Sequence, residues 1–160
     1  MAKRPWNRID LPVYSISSRN EKGGTNMHII TYATQISMEP KRYICGIYEG
    51  TQTLENVKSH PLFVLQLLAS HQYGLIDLLG RKSGKQVNKT ERLEKRKLLT
   101  QWKEHQVLSE CLAVMEMKVI DFFPAGDHTA FLCEVTAYRN LNEGTPLTLN
   151  ILRERKLIRI

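Results

Sequence analysis

The sequence predicts a mainly β protein whose strands form a closed or partly closed antiparallel barrel. About six runs are rich in β-branched and aromatic residues, which are typical of strands. Turn-forming residues separate several of these runs at short spacing, as in hairpins. The helical patterns are few and irregularly placed, so the regular alternation of strand and helix that builds a parallel sheet is missing. An antiparallel barrel with a few inserted short helices accounts for all three observations.

The first half of the chain predicts three strands and one short helix. The strands are expected at residues 9–16, 28–37 and 43–48, with a polar turn at 20–24 and an end to the second strand at Glu39-Pro40. Residues 54–59 are expected to form a helix because Thr53 is a suitable cap and Glu55 lies in the first turn. Pro61 follows closely, as after a helix end.

The second half predicts further strands separated by two helical segments. Residues 63–68 form a nearly continuous apolar strand, and 71–79 have helical spacing that places Leu75, Leu78 and Leu79 on one stripe. A loop rich in glycine and lysine is expected at 80–89, and a helix at 90–105. The remaining strands are expected at 112–120, 130–138, 147–152 and 157–160.

Composition limits the classes of partner. The 160 residues suit a single domain over 1–160, and 42% hydrophobic with 24% charged residues is the balance of a folded globular protein. The net charge of +7 favours an anionic partner, such as a phosphate, a nucleic acid or an acidic membrane surface.

The expected location is the cytoplasm. The first residues lack the apolar core of a signal peptide, and the longest apolar stretch, 62–69, is far too short to cross a bilayer. Cys45, Cys111 and Cys133 are widely spaced, which indicates reduced and mostly buried thiols. We therefore expect a soluble protein with no membrane partner.

Asp127 and His128 stand at the turn between two long predicted strands, 112–120 and 130–138. Pro124 and Gly126 supply the turn chemistry. The chain has no serine elbow for a catalytic triad and no short histidine or cysteine spacing for a metal site. His128 therefore either makes local hydrogen bonds in the turn or contacts a bound ring.

Two loops carry residues that suit an anion. The 80–85 loop contains Lys82 and Ser83 between glycines, but its spacing is not that of a Walker A loop. Thr51 and Thr53 stand at a strand-to-helix junction, where hydroxyl and N–H groups bind anions. Taken alone, the 80–85 loop is an ordinary solvated loop and the Thr51–Thr53 junction is an ordinary helix cap. If the two lie close together in the fold, they would form a phosphate site.

The stretch 81–103 is strongly basic. It would suit nucleic acid, or it is a solvated helix face with Glu–Lys and Glu–Arg pairs. Aromatic residues are not interleaved with the cations as a stacking platform requires, so we expect no nucleic-acid partner.

Taken in order, several stretches resemble the flavin reductase-like family, the FMN-binding split-barrel proteins. The closest likeness is Gly126-Asp127-His128-Thr129 with Cys133-Glu134-Val135, similar to the family's Gly-Asp-His and Gly-Glu-Val hairpin. Other similar stretches, also in the family's order, are 26–37, 38–40, 48–56, 63–68 and 80–89.

The resemblance implies a Greek-key split barrel that forms a homodimer, binds FMN (or FAD) and passes hydride from NADH or NADPH to the flavin, in some members for a partner monooxygenase. It implies that His128, with Asp127 beside it, meets the flavin or the nicotinamide and is catalytic. The residues implied at the isoalloxazine are Thr31, Tyr32, Ala33 and Thr34, and those at the flavin phosphate are Thr51, Thr53, Lys82 and Ser83.

The chain departs from the family pattern at a few positions. Thr31-Tyr32-Ala33 replaces a common Asn-Ser-Phe run, and Asn88 replaces the usual Asp before Lys89. Two alternatives to a flavin oxidoreductase therefore stay open at this point. One is a flavin-binding electron-transfer or carrier protein of the same fold without efficient NAD(P)H oxidation, and the other is a basic nucleic-acid module.

Overall fold

A computed structural model describes residues 4–159 and shows one large antiparallel sheet with helices at its margins. Seven strands form this sheet in the order β2-β1-β5-β8-β9-β4-β3, and β6 and β7 form a separate hairpin. The prediction of a mainly β, antiparallel protein is confirmed. The strands are β1 (Tyr14–Arg19), β2 (Thr25–Ile30), β3 (Ala33–Ser37), β4 (Arg42–Tyr48), β5 (Leu62–Leu67), β6 (Leu99–Trp102), β7 (His105–Leu108), β8 (Ala113–Ala125) and β9 (His128–Asn140).

The helices are short and lie between strands or after them. They are α1 (Gln52–Ser59), α2 (Lys89–Lys95) and α3 (Leu149–Glu154). Two 3₁₀ helices cover Pro5–Asn7 and Ser70–Leu75, and a π-helical turn covers Asp77–Arg81.

The two edge strands of the sheet, β2 and β3, are consecutive in the chain. Only Thr31 and Tyr32 separate them, so the Cα atoms of Ile30 and Ala33 lie at most about 11 Å apart. The sheet must therefore curl until its edges approach each other at this end. Across residues 4–159 β2 and β3 make no ladder with each other, which leaves the barrel split beside the β2–β3 link, Thr31-Tyr32.

Two apolar clusters lie on opposite sides of the curled sheet. The interior cluster contains alternate residues of β4, because successive side chains of a strand point to opposite faces. Leu54 and Val57 of α1 belong to the same cluster and close one end of the barrel. The outer cluster packs α2, α3, the β6–β7 hairpin and the helical turns of 70–81 against the other face of β2, β5 and β8. Buried interior side chains include Tyr43, Cys45, Ile47, Phe63, Met117, Phe131 and Cys133.

The β8–β9 hairpin has the predicted turn. Both strands have 13 residues, and the loop between them is Gly126-Asp127. Gly126 has a φ of 72°, which glycine adopts without the strain that other residues meet. The hairpin therefore places His128 at the first position of β9, as the sequence indicated.

The predicted helix at 90–105 is wrong beyond Lys95. The chain instead forms the β6–β7 hairpin, with Lys97 at φ 55° and Lys103 at φ 53°. Left-handed residues end a right-handed helix, and the sequence lacks the Gly that usually marks such positions. Trp102 pairs with His105 in the hairpin and is buried there.

The predicted C-terminal strands are also wrong. Residues 149–154 form α3, which buries Leu152 in the outer cluster, and only Pro146 and Thr148 make isolated bridges to other segments. Residues 157 and 158 form bends, residue 159 has no regular secondary structure, and Ile160 lies outside the described residues.

Several predicted boundaries move, as at the first strand, the run 28–37 and the start of α1. The first strand begins at Tyr14, and the run 28–37 divides into β2 and β3 because the β2–β3 link crosses from one sheet edge to the other. The cap of α1 is Thr51, whose Oγ1 accepts a hydrogen bond from the Leu54 N–H at 3.2 Å. Thr53, predicted as the cap, lies within the first turn and is buried.

Candidate functional site

Two neighbouring depressions lie along one face of β2. Asn26 and His28 are two residues apart on this strand, so their side chains point to the same face. Asn26 lines a polar cavity of about 710 Å³, and His28 lines a narrower cleft of about 270 Å³. One elongated ligand that follows β2 would therefore meet both.

The narrower depression, called the histidine cleft, opens where the barrel is split. Its walls come from the ends of β2 and β4, the β2–β3 link and the start of β9. The isoleucine side chains make part of it apolar, and the aromatic side chains frame it. The lining residues are Ile16, His28, Ile29, Ile30, Thr31, Tyr32, Gly46, Ile47, Tyr48 and His128.

His128 is held from three directions at this cleft. Its Nδ1 lies 2.7 Å from Oδ1 of Asp127, the exposed residue of the hairpin turn. The ring centroids of Tyr32 and Tyr48 lie 5.0 Å and 5.2 Å from that of His128. When Nδ1 carries the proton that it donates to Asp127, Nε2 is the ring nitrogen that remains for a ligand.

Gly46 lets these aromatic groups come close to β4. A Cβ at this position would lie 3.3 Å from Cβ of Tyr32 and 3.7 Å from Cδ2 of His128. The backbone N–H of Gly46 also donates a 2.7 Å hydrogen bond to the Tyr32 carbonyl. The position of Tyr32 is therefore fixed by backbone contacts as well as by side-chain packing.

His28 is a cleft residue that the sequence reading did not select. Burial, then the charges of Lys89 and His128, lower its pKa to about 4. The imidazole is therefore neutral at pH 7. Nothing in the local sequence marks it, because Lys89 and His128 are far from it in the chain and reach it only through the fold.

The polar cavity lies between the turn before β2, the start of α1 and the loop that precedes α2. Its walls are mostly amides and hydroxyls, with a few charged side chains. The lining residues are Asn20, Gly24, Thr25, Asn26, Gln52, the segment 84–91, Glu94 and Gln106.

Asn26 joins the two loops that the sequence marked as anion-friendly. Its Nδ2 donates to Oγ1 of Thr53 at 3.1 Å, and a Cβ at Gly84 would lie 2.3 Å from its Oδ1. Lys85 Nζ also lies 2.6 Å from Oε1 of Glu55 in α1. The glycine-rich loop and the start of α1 are therefore neighbours.

The residues expected at a flavin ring lie together. Thr31 and Tyr32 line the histidine cleft. Ala33 and Thr34 line a second depression of about 430 Å³ that also includes Asp127 and shares Thr31, Tyr32, Gly46 and His128 with the cleft.

The residues expected at a flavin phosphate are less well gathered. Oγ1 of Thr51 donates to the Tyr48 carbonyl in addition to capping α1. Lys82 Nζ lies 3.8 Å from Asp77, and Oγ of Ser83 accepts from the Lys85 N–H at 3.2 Å. None of the four expected residues, Thr51, Thr53, Lys82 and Ser83, lines the polar cavity.

Lys89 does line the polar cavity, although its side chain is almost wholly buried, with only 3% of the residue exposed. Its Nζ donates to the Leu79 carbonyl at 3.1 Å. Burial lowers the pKa of the ammonium to about 8. Lys89 was not among the predicted site residues, because it follows a polar loop whose sequence gives no sign that this lysine is buried.

Two other classes of site were sought in the part of the chain that the structure describes. Residues 4–159 contain no group of three or more His, Cys, Asp or Glu side chains placed to hold a metal ion. None of the helices in the same range is both long and apolar enough to traverse a bilayer.

Comparison with known proteins decides the family. The sequence model of the "Flavin reductase like domain" matches residues 6–156, almost the whole chain. The chain belongs to this family. No curated protein sequence matches the chain significantly.

Solved structures with the same fold are distant in sequence. An FMN-binding protein from Thermus thermophilus with bound 1-cyclohex-2-enone is 19% identical, with a TM-score of 0.75 over 88% of this chain and 77% of that one. The styrene monooxygenase flavin reductase of Pseudomonas putida is 18% identical, with a TM-score of 0.72 over 88% and 86%. The NADH:FAD oxidoreductase of Streptomyces globisporus is 14% identical, with a TM-score of 0.78 over 92% and 91%. Membership of the flavin reductase-like family therefore agrees with the fold of all three, and the split barrel is confirmed.

Proposed function

We propose that this member of the flavin reductase-like family binds FMN, with FAD as the alternative, and transfers hydride between NADH or NADPH and the flavin. The observation that carries the proposal is the adjacency of the aromatic-lined histidine cleft and the polar cavity on one face of β2. FMN has a planar ring at one end and a phosphate at the other. The histidine cleft is lined by aromatic and apolar side chains, as a planar ring requires, and the other cavity is polar, as a phosphate requires.

The ring end of the ligand is assigned to the histidine cleft and the depression beside it. Thr31, Tyr32, Ala33 and Thr34 supply backbone and side-chain contacts along the β2–β3 link and the start of β3. His128, oriented by Asp127, is the proposed catalytic residue that positions the reacting ring. The flavin itself would supply the hydride chemistry, and the protein holds the ring and excludes water.

The phosphate end is assigned to the polar cavity and the loops around it. Thr51, Thr53, Lys82 and Ser83 are the holders that the family resemblance implies, and Asn26 and Gln52 add amide groups on the cavity wall. Phosphate binding is favoured by donors and cations in one place. The formal net charge of +7 gives the surface the sign that a dianionic ligand needs.

A homodimer is also part of the proposal. Several large apolar side chains are exposed on the β8–β9 hairpin, which is more than a monomer needs there. Ile120, Phe122 and Phe123 are 44–49% exposed, and Tyr138 is 76% exposed. Sedimentation equilibrium of the purified protein tests the dimer.

A monooxygenase as electron acceptor, a single domain over 1–160 and a cytoplasmic location stay predictions.

The test of the proposed function has two steps. The purified protein is titrated with FMN while flavin fluorescence and visible absorbance are followed, and NADH or NADPH is then added without oxygen. Bleaching of the bound flavin supports the oxidoreductase. Flavin binding without bleaching would favour the alternative, a flavin-binding electron-transfer or carrier protein, over the oxidoreductase. Failure to bind FMN, FAD or riboflavin would overturn the proposal.

A further inference from the structure

His28 lies at the junction of the two depressions. It shares one face of β2 with Asn26 and Ile30, because alternate side chains of a strand point the same way. The Cα atom of Asn26, which lines the polar cavity, is about 7 Å back along the strand. Charges act on His28 from both sides, since Lys89 lines the polar cavity and His128 lines the histidine cleft. A ligand that occupies both depressions must therefore pass His28 with its middle part.

The imidazole of His28 has no polar partner among residues 4–159, unlike the other four histidines of the chain. Those four are paired as follows: His60 with Arg19 at 3.1 Å, His71 with Glu110 at 3.8 Å, His105 with Glu116 at 2.8 Å and His128 with Asp127 at 2.7 Å. A half-buried donor and acceptor without partners is unfavourable. A polar group of a ligand in the cleft would satisfy both.

The protonation state of His28 indicates the chemistry of that ligand group. Burial, followed by the positive charges of Lys89 and His128, lowers its pKa to about 4, so the ring is neutral at pH 7. A neutral imidazole donates one hydrogen bond and accepts another, as a hydroxyl group also does. A phosphate dianion only accepts, and a cation binds it better. His28 therefore suits an uncharged polyol better than a phosphate.

We propose that His28 binds the polyol chain that joins the flavin ring to its phosphate. The inference rests on the proposed function and adds a residue for the part of the ligand between the two assigned ends. The ring end is assigned to residues that begin at Thr31, at most about 10 Å further along the backbone, and the phosphate end to the cavity beside Asn26. His28 thereby makes the site selective for flavins that carry the polyol chain.

The test compares three flavins that share the same ring. FMN has the polyol and the phosphate, riboflavin has the polyol alone, and lumiflavin has a methyl group in place of the chain. Their affinities are measured by quenching of flavin fluorescence for the unaltered protein and for His28→Leu, which places an apolar side chain beside the isoleucines of the cleft. We expect FMN and riboflavin affinities each to fall about 3–10-fold, the range for one neutral hydrogen bond, and lumiflavin affinity to change less than about 2-fold.

Three further variants complete the design, and thermal unfolding without ligand is measured for each. His28→Gln keeps a donor and an acceptor and should retain most of the affinity for FMN and riboflavin. His28→Phe keeps a ring without nitrogens and repeats the measurement should His28→Leu fail to fold. His71→Gln is the matched control, because His71 is exposed and lies beside Glu110 outside both depressions. It should leave all three affinities within about 2-fold, since exposed pairs contribute little.

The outcomes separate this inference from the proposed function. Similar losses for all three flavins in His28→Leu would show a structural or ring-binding histidine and would overturn the inference. A loss confined to FMN would place His28 at the phosphate and overturn it, as would unchanged affinities or an equal loss in His71→Gln. In each of these cases the unaltered protein still binds flavin, so the proposed function stands. No binding of any of the three flavins by the unaltered protein would overturn both.

Discussion

The Nδ1 atom of His128 lies 2.7 Å from the Oδ1 atom of Asp127, and the two residues are adjacent in the chain. The carboxylate is exposed, whereas the imidazole is four-fifths buried beside Tyr32 and Tyr48. The Asp127 carboxylate in the turn therefore accepts a hydrogen bond from the solvent side and orients the His128 ring, which faces the cleft. This geometry leads to the first prediction.

His128→Ala should slow hydride transfer to bound flavin by at least about 10-fold, because a positioned group beside the reacting ring is lost. FMN should stay bound, since the polar cavity is untouched. Single-turnover bleaching of the flavin by NADH or NADPH measures the rate, and a fluorescence titration checks occupancy. Asp127→Asn should give a smaller loss. An unchanged single-turnover rate for His128→Ala would remove its catalytic role.

Lys82→Ala combined with Ser83→Ala should weaken FMN binding more than riboflavin binding, because only FMN carries the phosphate. The loss should be modest, about 2–5-fold, since Lys82 is partly exposed and near Asp77. Parallel fluorescence titrations with the two flavins give the answer. Equal losses for both ligands would contradict the placement of this loop beside the phosphate.

Gly46→Ala should weaken the binding of FMN and riboflavin alike. The added methyl group would lie 3.3 Å from Cβ of Tyr32, so Tyr32 must shift from its position in the cleft. Both ligands share the ring, so the same titrations should show similar losses for the two. A loss confined to FMN would mean that Gly46 acts at the phosphate end and not in the histidine cleft.

Glu116→Gln should destabilise the fold by roughly 1.5–3 kcal/mol at pH 7, the range for hydrogen bonds to a charged group. Burial raises the pKa of Glu116, but hydrogen bonds from Lys103, His105 and Thr136 outweigh that effect and lower the pKa from 4.5 to about 2. Their lengths are 2.7, 2.8 and 2.8 Å.

The sign of its pH dependence follows from the lowered pKa. The ionised carboxylate stabilises the folded state fully above pH 4.5, and this contribution is lost as the pH falls toward 2. Urea unfolding of the two proteins at pH 7 and pH 3 measures the effect. The difference between them should shrink at pH 3; a constant difference would mean that the carboxylate charge is not its source.

The features that the sequence predicted well are those encoded by neighbouring residues. The β8–β9 hairpin follows from two long apolar runs and a turn at Gly126, and β4 follows from the alternation of Tyr43, Cys45 and Ile47. The 90–105 helix failed because Lys97 and Lys103 adopt left-handed backbone angles that lysine does not signal. In the hairpin Trp102 is buried, which is a tertiary contact that the local sequence does not encode.

The same distinction applies to the candidate site. That Thr31, Tyr32 and His128 lie around one cleft agrees with the expectation drawn from the family resemblance, whereas their role toward a flavin stays a prediction. The properties of His28 and Lys89 were not predictable, because the pKa of each is lowered by burial and that of His28 also by the charge of Lys89, 61 positions away in the chain. Lys82 was chosen for its loop, and the fold turned its ammonium toward Asp77.

The two-residue link Thr31-Tyr32 limits the width of the opening of the histidine cleft, because it limits the distance between the two edge strands. The link connects the two edge strands, β2 and β3. An insertion in it would let these strands move apart and would widen the entrance to the cleft. Ligand size is thereby coupled to the closure of the whole sheet rather than to the choice of a few lining side chains. Substitutions at Tyr32 would reshape the entrance locally, whereas a change in the number of residues between β2 and β3 would alter how closely the two sheet edges approach each other.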